Sequence, residues 1–158
     1  MQKITPFLWF DGKAEEAVNF YLSAFKDAKI LEILRYREAG PGPEGSVMTI
    51  KFSLHGQEFV ALNAGPEFTF TPAISFFVHC QSQEEVDELW EKLSAEGGET
   101  NSCGWLKDRY GVSWQIVPTI LLEFLGDKDS EKANRVMKAM LEMHKLNIAG
   151  LTRAYEQG

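Results

Sequence analysis

The sequence predicts an α+β fold made of two βαβββ modules followed by a helical tail, and two recurrences carry that reading. Displacing the chain by 69 residues sets Glu15-Glu16-Ala17-Val18 on Glu84-Glu85-Val86-Asp87 and Tyr21 on Trp90, so an amphipathic helix recurs. Displacing it by 55 lays HGQEFVAL, His55 to Leu62, over YGVSWQIV, Tyr110 to Val117, so a hairpin recurs. Period-two alternation marks the strands in each copy and 3.6-residue periodicity marks the helices. The two displacements differ because the first copy has extra residues, placed most simply in the loop EAGPGPEG. A chain of 158 residues, 44% of them hydrophobic, has material for one shared core. Neither copy alone offers enough, so the two should pack together. The reading is a single domain over 1–158, with module 1 at about 1–66, module 2 at about 72–118 and the tail at about 119–158.

Each element has its own signal. ITPFLWF reads as a short strand, and GKAEEAVNFYLSAFKDA puts Ala14, Ala17, Val18, Tyr21, Leu22 and Phe25 on one helical face. KILEILRYRE and SVMTIKFSLHGQEFVALNAG read as three strands, the last two joined at His55-Gly56, where glycine supplies positive φ. ISFFVHC and the acidic helix after it reopen the pattern, and Gly97-Gly98 stops that helix. CGWLKDRYGVSWQIVPT closes the second copy as two apolar runs folded on a turn, where Asp108 can hydrogen-bond the backbone and Gly111 take positive φ. Arg109 could instead reach an anionic ligand from that turn. In the tail, Gly126 ends a short segment, Ser130 or Asp129 can cap the next, and Asn147 can cap a last turn or two. Ala133, Val136, Met137, Met140, Leu141 and His144 form an apolar stripe expected to pack across the sheets or a partner subunit.

Composition excludes several functions. A net charge of −7 without any run of Lys or Arg argues against nucleic acid and against an anionic membrane surface as partners. The N-terminal apolar run is too short for a signal peptide or a membrane span. Two cysteines, Cys80 and Cys103, make neither a disulfide framework nor a CxxC metal or redox site, which points to the cytoplasm.

GPGPEG, Gly40 to Gly45, formally satisfies the GxGxxG nucleotide pattern. A strand pattern follows it where the motif needs a helix N-terminus, and its prolines remove amide donors. It reads as a flexible or functional loop, and no cofactor is expected. His55, His79 and His144 have no short mutual spacing and give no ligand signature. His55 is expected to be exposed at its turn, and His144 packed on the tail stripe. His79-Cys80 is not a catalytic pair by adjacency, because strand neighbours point to opposite faces. Glu15, Glu16, Glu84 and Glu85 read as solvated helix faces.

The opening ITPFLWFDGKAEEAVNFY and the closing CGWLKDRYGVSWQIVPT together resemble the vicinal-oxygen-chelate superfamily of glyoxalase I, bleomycin-resistance proteins and extradiol dioxygenases. Within it the likeness is to the PhnB-like branch, often labelled 3-demethylubiquinone-9 3-methyltransferase, and VMKAMLEMHKLNIAGLTRAYE looks like the tail of that branch. The resemblance implies that each βαβββ unit forms a curved sheet and that the paired sheets enclose a cavity. It also implies a dimer. The superfamily's metal-ligand positions would fall at Ile4 and Ala73 on the first strands and at Val60 and Gln115 on the last. Three are hydrocarbon, and Gln115 alone offers an amide oxygen, so the usual metal site is expected to be missing.

Alternation then assigns Ile4, Pro6, Leu8 and Phe10 to one cavity wall and Ala73, Ser75, Phe77 and His79 to another, with Val60, Leu62, Gln115 and Val117 from the last strands. Gln115 points away from Trp114 and Ile116 and must find a partner such as Ser75, water, backbone or ligand, since leaving it unpaired costs about 1–3 kcal/mol. The expected ligand-binding residues are Gln115, Ser75, Phe77, His79, Leu8, Phe10 and Leu62. The expected partner is a small apolar or aromatic molecule, bound by a cytoplasmic homodimer without metal. The alternatives are a metal-dependent lyase, isomerase or dioxygenase using His79, Glu58 and Gln115, and a purely structural or partner-binding role.

Overall fold

In a computed structural model, which describes residues 2–157, the first repeat folds as β1 (Phe7–Asp11), α1 (Ala14–Ala24), β2 (Ala28–Arg35), β3 (Val47–Leu54) and β4 (Gln57–Ala64). Its sheet has the order β1-β4-β3-β2, with β1 parallel to β4 and the other pairs antiparallel. The second repeat gives β5 (Phe76–Cys80), α2 (Gln83–Ser94), β6 (Glu99–Thr100), β7 (Trp105–Lys107) and β8 (Ser113–Pro118), in the same order, β5-β8-β7-β6. A tail of α3 (Thr119–Leu125), α4 (Ser130–Leu141) and α5 (Ile148–Glu156) follows. The α+β class and the repeated βαβββ order are both present, in two compact units, Met1–Thr69 and Phe70–Gly158. The doubling seen in the helices and hairpins is therefore a doubling of topology.

In the first unit, Ala14, Ala17, Val18, Tyr21 and Ala24 form the buried stripe of α1. Tyr21 stacks on Phe52 and Phe52 on Phe59, with ring centroids 6.1 and 5.4 Å apart, which fixes the helix-covered face of the sheet. The α1 N-terminus receives no cap from its own preceding residue Lys13; Asn63 of β4 supplies the acceptor, its Oδ1 lying 2.8 Å from the Ala14 amide. A distant side chain thus does the work of an N-cap and locks the helix to the strand. His55 (φ 48°) and Gly56 (φ 82°) form the two-residue β3–β4 turn, whose two positive φ values match the twist of the paired strands.

In the second unit, α2 covers its sheet through Val86, Leu89 and Leu93, and Ser82 caps it by accepting from the Glu85 amide. The tail packs on its own unit: Val117 at the end of β8 joins Leu121, Val136, Leu146 and Leu151 in one buried cluster. Asp129 caps α4 and Asn147 caps α5. The stripe reading needs correction: Met137 and Leu141 are exposed on α4, and α4 ends at Leu141, so His144 lies beyond it, also exposed, with its carbonyl accepting from the Gly104 amide at 2.9 Å. Among the described residues, no helix is long and apolar enough to cross a membrane.

Candidate functional site

Gln115 sits in the middle of β8, with Ser113 and Val117 two residues away on either side. The sheet register places Phe77 of β5 and Trp105 of β7 directly across from it. Directly paired residues share a face, so Phe77, Gln115 and Trp105 form one row on the side away from α2, and His79 stands beside it. The helix side carries Phe76, Trp114 and Ile116, with Phe76 and Trp114 in ring contact at 5.4 Å. Gln115 is half-buried, and its Nε2 donates to Ser75 Oγ at 3.0 Å. That is one of the partners the sequence requires for it. Phe77 is 38% exposed, and its ring lies 4.8 Å from the His79 imidazole. The face therefore offers an aromatic platform with one amide–hydroxyl pair at its centre.

The first unit does not repeat this chemistry. Val60 occupies the position equivalent to Gln115, and its register neighbours are Phe7 and Lys51. Leu62 lies on the same open face, across from Trp9 and Thr49. Leu8 and Phe10 do not: they pair with Ala61 and Asn63 on the α1 side and are only 6% and 3% exposed. Their placement on a cavity wall is thus corrected. The displacement of 69 that superimposes the helices relates Leu8 to Phe77, whereas the strand register relates Phe7 to Phe77. A one-residue slip in a strand turns every side chain to the other face. Ile4 and Ala73 also fall outside strands, Ile4 at 84% exposure ahead of β1 and Ala73 in a turn ahead of β5.

Trp105 is the residue that sequence reasoning missed. The signal was available: a turn from Asp108 to Gly111 that sets Lys107 opposite Ser113 also sets Trp105 opposite Gln115.

The remaining candidates have structural partners. Arg109 forms an ion pair with Glu96 at 3.0 Å. His55 is exposed at its turn, as the sequence reading has it. Cys80 is fully buried, and burial, reinforced by the nearby Glu85 charge, pushes its thiol up to about 12. Although it borders a hollow of ≈ 360 Å³ beside α3 and α5, it is no nucleophile there, since the thiolate is the reactive form.

A metal of the kind the fold family uses finds a poor donor set at the superfamily's ligand positions. The side chains of Val60, Ala73 and Ile4 have no lone pairs, Ile4 is also off the strand, and Gln115 Oε1 is left as a single neutral amide donor. Among the described residues, no group of three or more His, Cys, Asp or Glu is placed to hold an ion.

A family model described as 3-demethylubiquinone-9 3-methyltransferase matches residues 2–117, spanning both repeats. The chain belongs to this PhnB-like family. It is similar to the solved putative 3-demethylubiquinone-9 3-methyltransferase, PhnB protein, from Bacillus cereus, at 46% identity over 74% of this chain and 99% of that one, with a TM-score of 0.67. Protein PA1353 from Pseudomonas aeruginosa is 21% identical over 75% of this chain and 98% of its own, with a TM-score of 0.61. A variant of the fosfomycin resistance protein FosX from Listeria monocytogenes, complexed with Mn(II), is 16% identical over 72% and 90%, with a TM-score of 0.51. These last two share the fold alone. No curated protein matches. The match to the PhnB-like family model stops at Val117, so the tail likeness read in the sequence lies outside the matched span.

Proposed function

We propose that this PhnB-like chain is a small-molecule-binding protein that holds a compact aromatic or otherwise apolar ligand without a metal ion. The observation that carries the reading is the Gln115–Ser75 hydrogen bond set between Phe77 and Trp105 on the open face of the second sheet. Flat aromatic side chains give contact area, and one oriented amide gives direction, which is the usual economy of small-ligand sites. Gln115 Nε2 spends one of its two hydrogens on Ser75, so a ligand carbonyl or hydroxyl oxygen can accept the other, and a ligand hydroxyl or N–H can donate to Oε1. His79 extends the candidate set on this sheet; Leu62 belongs to the open face of the first sheet, and Leu8 and Phe10 leave the set.

The methyl transfer in the family's description needs a methyl donor such as S-adenosylmethionine, and the glycine-rich loop is a poor cradle for one. It runs into β3, not into a helix, and its Gly40, Gly45 and Ser46 amides donate to the carbonyls of Arg37, Tyr36 and Pro43. The reading places the chain in the cytoplasm as a homodimer, consistent with an edge strand, β2, that exposes apolar residues.

The test is titration calorimetry of the purified protein with phenol, catechol and indole, alongside elemental analysis. Saturable binding is expected, weakened about tenfold by Gln115→Leu through loss of one hydrogen bond. A stoichiometric divalent metal that survives purification and is lost in Gln115→Leu would sink the proposal.

A further inference from the structure

The first unit contains another hollow, of ≈ 670 Å³, open to solvent and bordered on one side by the loop between β2 and β3. Trp9 and Tyr36 supply its aromatic walls, Pro41 and Pro43 its loop side, and Glu15 and Glu67 its charges. We infer that this hollow is a binding site for a small organic cation, such as a quaternary or primary ammonium.

Each side-chain donor group of the wall already makes a hydrogen bond within the chain. Trp9 Nε1 donates to Gly65 O at 2.8 Å, Tyr36 Oη to Asn63 O at 2.5 Å, Asn63 Nδ2 to Val47 O at 3.0 Å and Ser46 Oγ to Pro43 O at 2.6 Å. The two prolines have no amide hydrogen to offer. Neither Lys nor Arg lines the hollow. Its lining is ring surface and two solvent-exposed carboxylates, with acceptors to offer and few side-chain donors. An anion or a neutral acceptor finds little there, whereas an ammonium finds both attraction to ring faces and charge compensation.

The loop is built to sit close over this space. A Cβ placed on Gly42 would meet the Tyr36 ring at 2.5 Å, so only glycine lets the loop backbone lie on that ring. The Glu67 carboxylate also lies close to Gly65, 2.5 Å from where a Cβ there would sit, at the strand end. The glycine-proline loop, whose pattern imitates a phosphate binder, thus walls a site of the opposite charge preference.

Choline, benzyltrimethylammonium and putrescine are the probes, with dimethylbutanol as the neutral counterpart of choline, read by titration calorimetry and by the Trp9 indole signal in ¹H–¹⁵N spectra. At least one cation is expected to saturate and to move the Trp9 signal, with the neutral compound about tenfold weaker. The double variant Glu15→Gln, Glu67→Gln, both exposed and so not needed for folding, is expected to weaken cation binding about tenfold and leave the neutral compound unchanged. The inference is overturned if no cation saturates, if the neutral compound binds as well, or if the double variant binds cations like the parent chain.

Discussion

Asp108 is 1% exposed and accepts from the Tyr110 amide at 2.9 Å, the Val112 amide at 3.1 Å and Trp114 Nε1 at 2.9 Å. With Gly111 at φ 92° it makes the turn read from KDRYG, and it also ties the turn to the helix face of β8 through Trp114. Removing the carboxylate leaves three donors without their acceptor, so Asp108→Ala is expected to destabilise the chain by about 3 kcal/mol or more, measured by urea unfolding. Because this turn sets the β7–β8 register, the same variant should also weaken ligand binding at Gln115. Cys80 gives a second residue-scale expectation. Its buried thiol, pushed up to about 12, should ignore an aromatic disulfide reagent in the native state while half-buried Cys103 reacts. Two reactive thiols should appear only on unfolding, and two fast thiols in the native protein would contradict the burial of Cys80.

At the scale of elements, the tail is held by polar contacts as well as by its apolar cluster. Gln83 on α2 donates to Leu146 O at 3.0 Å and accepts from the Ile148 amide at 2.7 Å, clamping the start of α5. Lys145 pairs with Asp87 at 3.0 Å. The Gln83 amide, and after it Lys145, hold the Asp87 carboxyl below its usual range, and the Tyr155 hydroxyl does the same for Asp127. A carboxyl whose folded pKa is lowered stabilises fully above its unfolded value and loses that contribution as pH falls through the folded one. Amide exchange in α4 and α5 should therefore accelerate as pH falls below about 4, after correction for intrinsic rates. In Asp87→Asn the acceleration should be smaller, and an unchanged profile would assign tail docking to the apolar cluster alone.

At the scale of the whole molecule, β2 is the conspicuous surface. It is an edge strand, and Ile30, Leu31, Ile33 and Leu34 are 39%, 42%, 43% and 47% exposed, so apolar side chains emerge on both of its faces. Edge strands of isolated monomers are usually blunted, whereas this one carries exposed apolar side chains along its length. With the proposed homodimer, the second copy is expected here. Light scattering should give twice the chain mass, and Leu31→Lys with Ile33→Lys should give the monomer with an unchanged circular dichroism spectrum. A parent chain that is monomeric at high concentration would remove the dimer.

The elements and their order were legible in the sequence because each has a local cause: the α1 stripe from Ala14 to Ala24, the positive φ values at His55-Gly56, the Asp129 and Asn147 caps. So was the poverty of ligands at Val60 and Ala73, which is a matter of side-chain chemistry and needs no coordinates. The identity of each wall was not legible. Alternation says that Leu8 and Phe10 share a face and that Phe77 and His79 share one, but it cannot say which face meets a helix. That depends on the hydrogen-bond register of β1 with β4 and of β5 with β8, pairings across more than thirty residues that no local pattern encodes. The register turned Leu8 and Phe10 into core, brought Trp105 beside Gln115, and showed the partner of that amide to be Ser75.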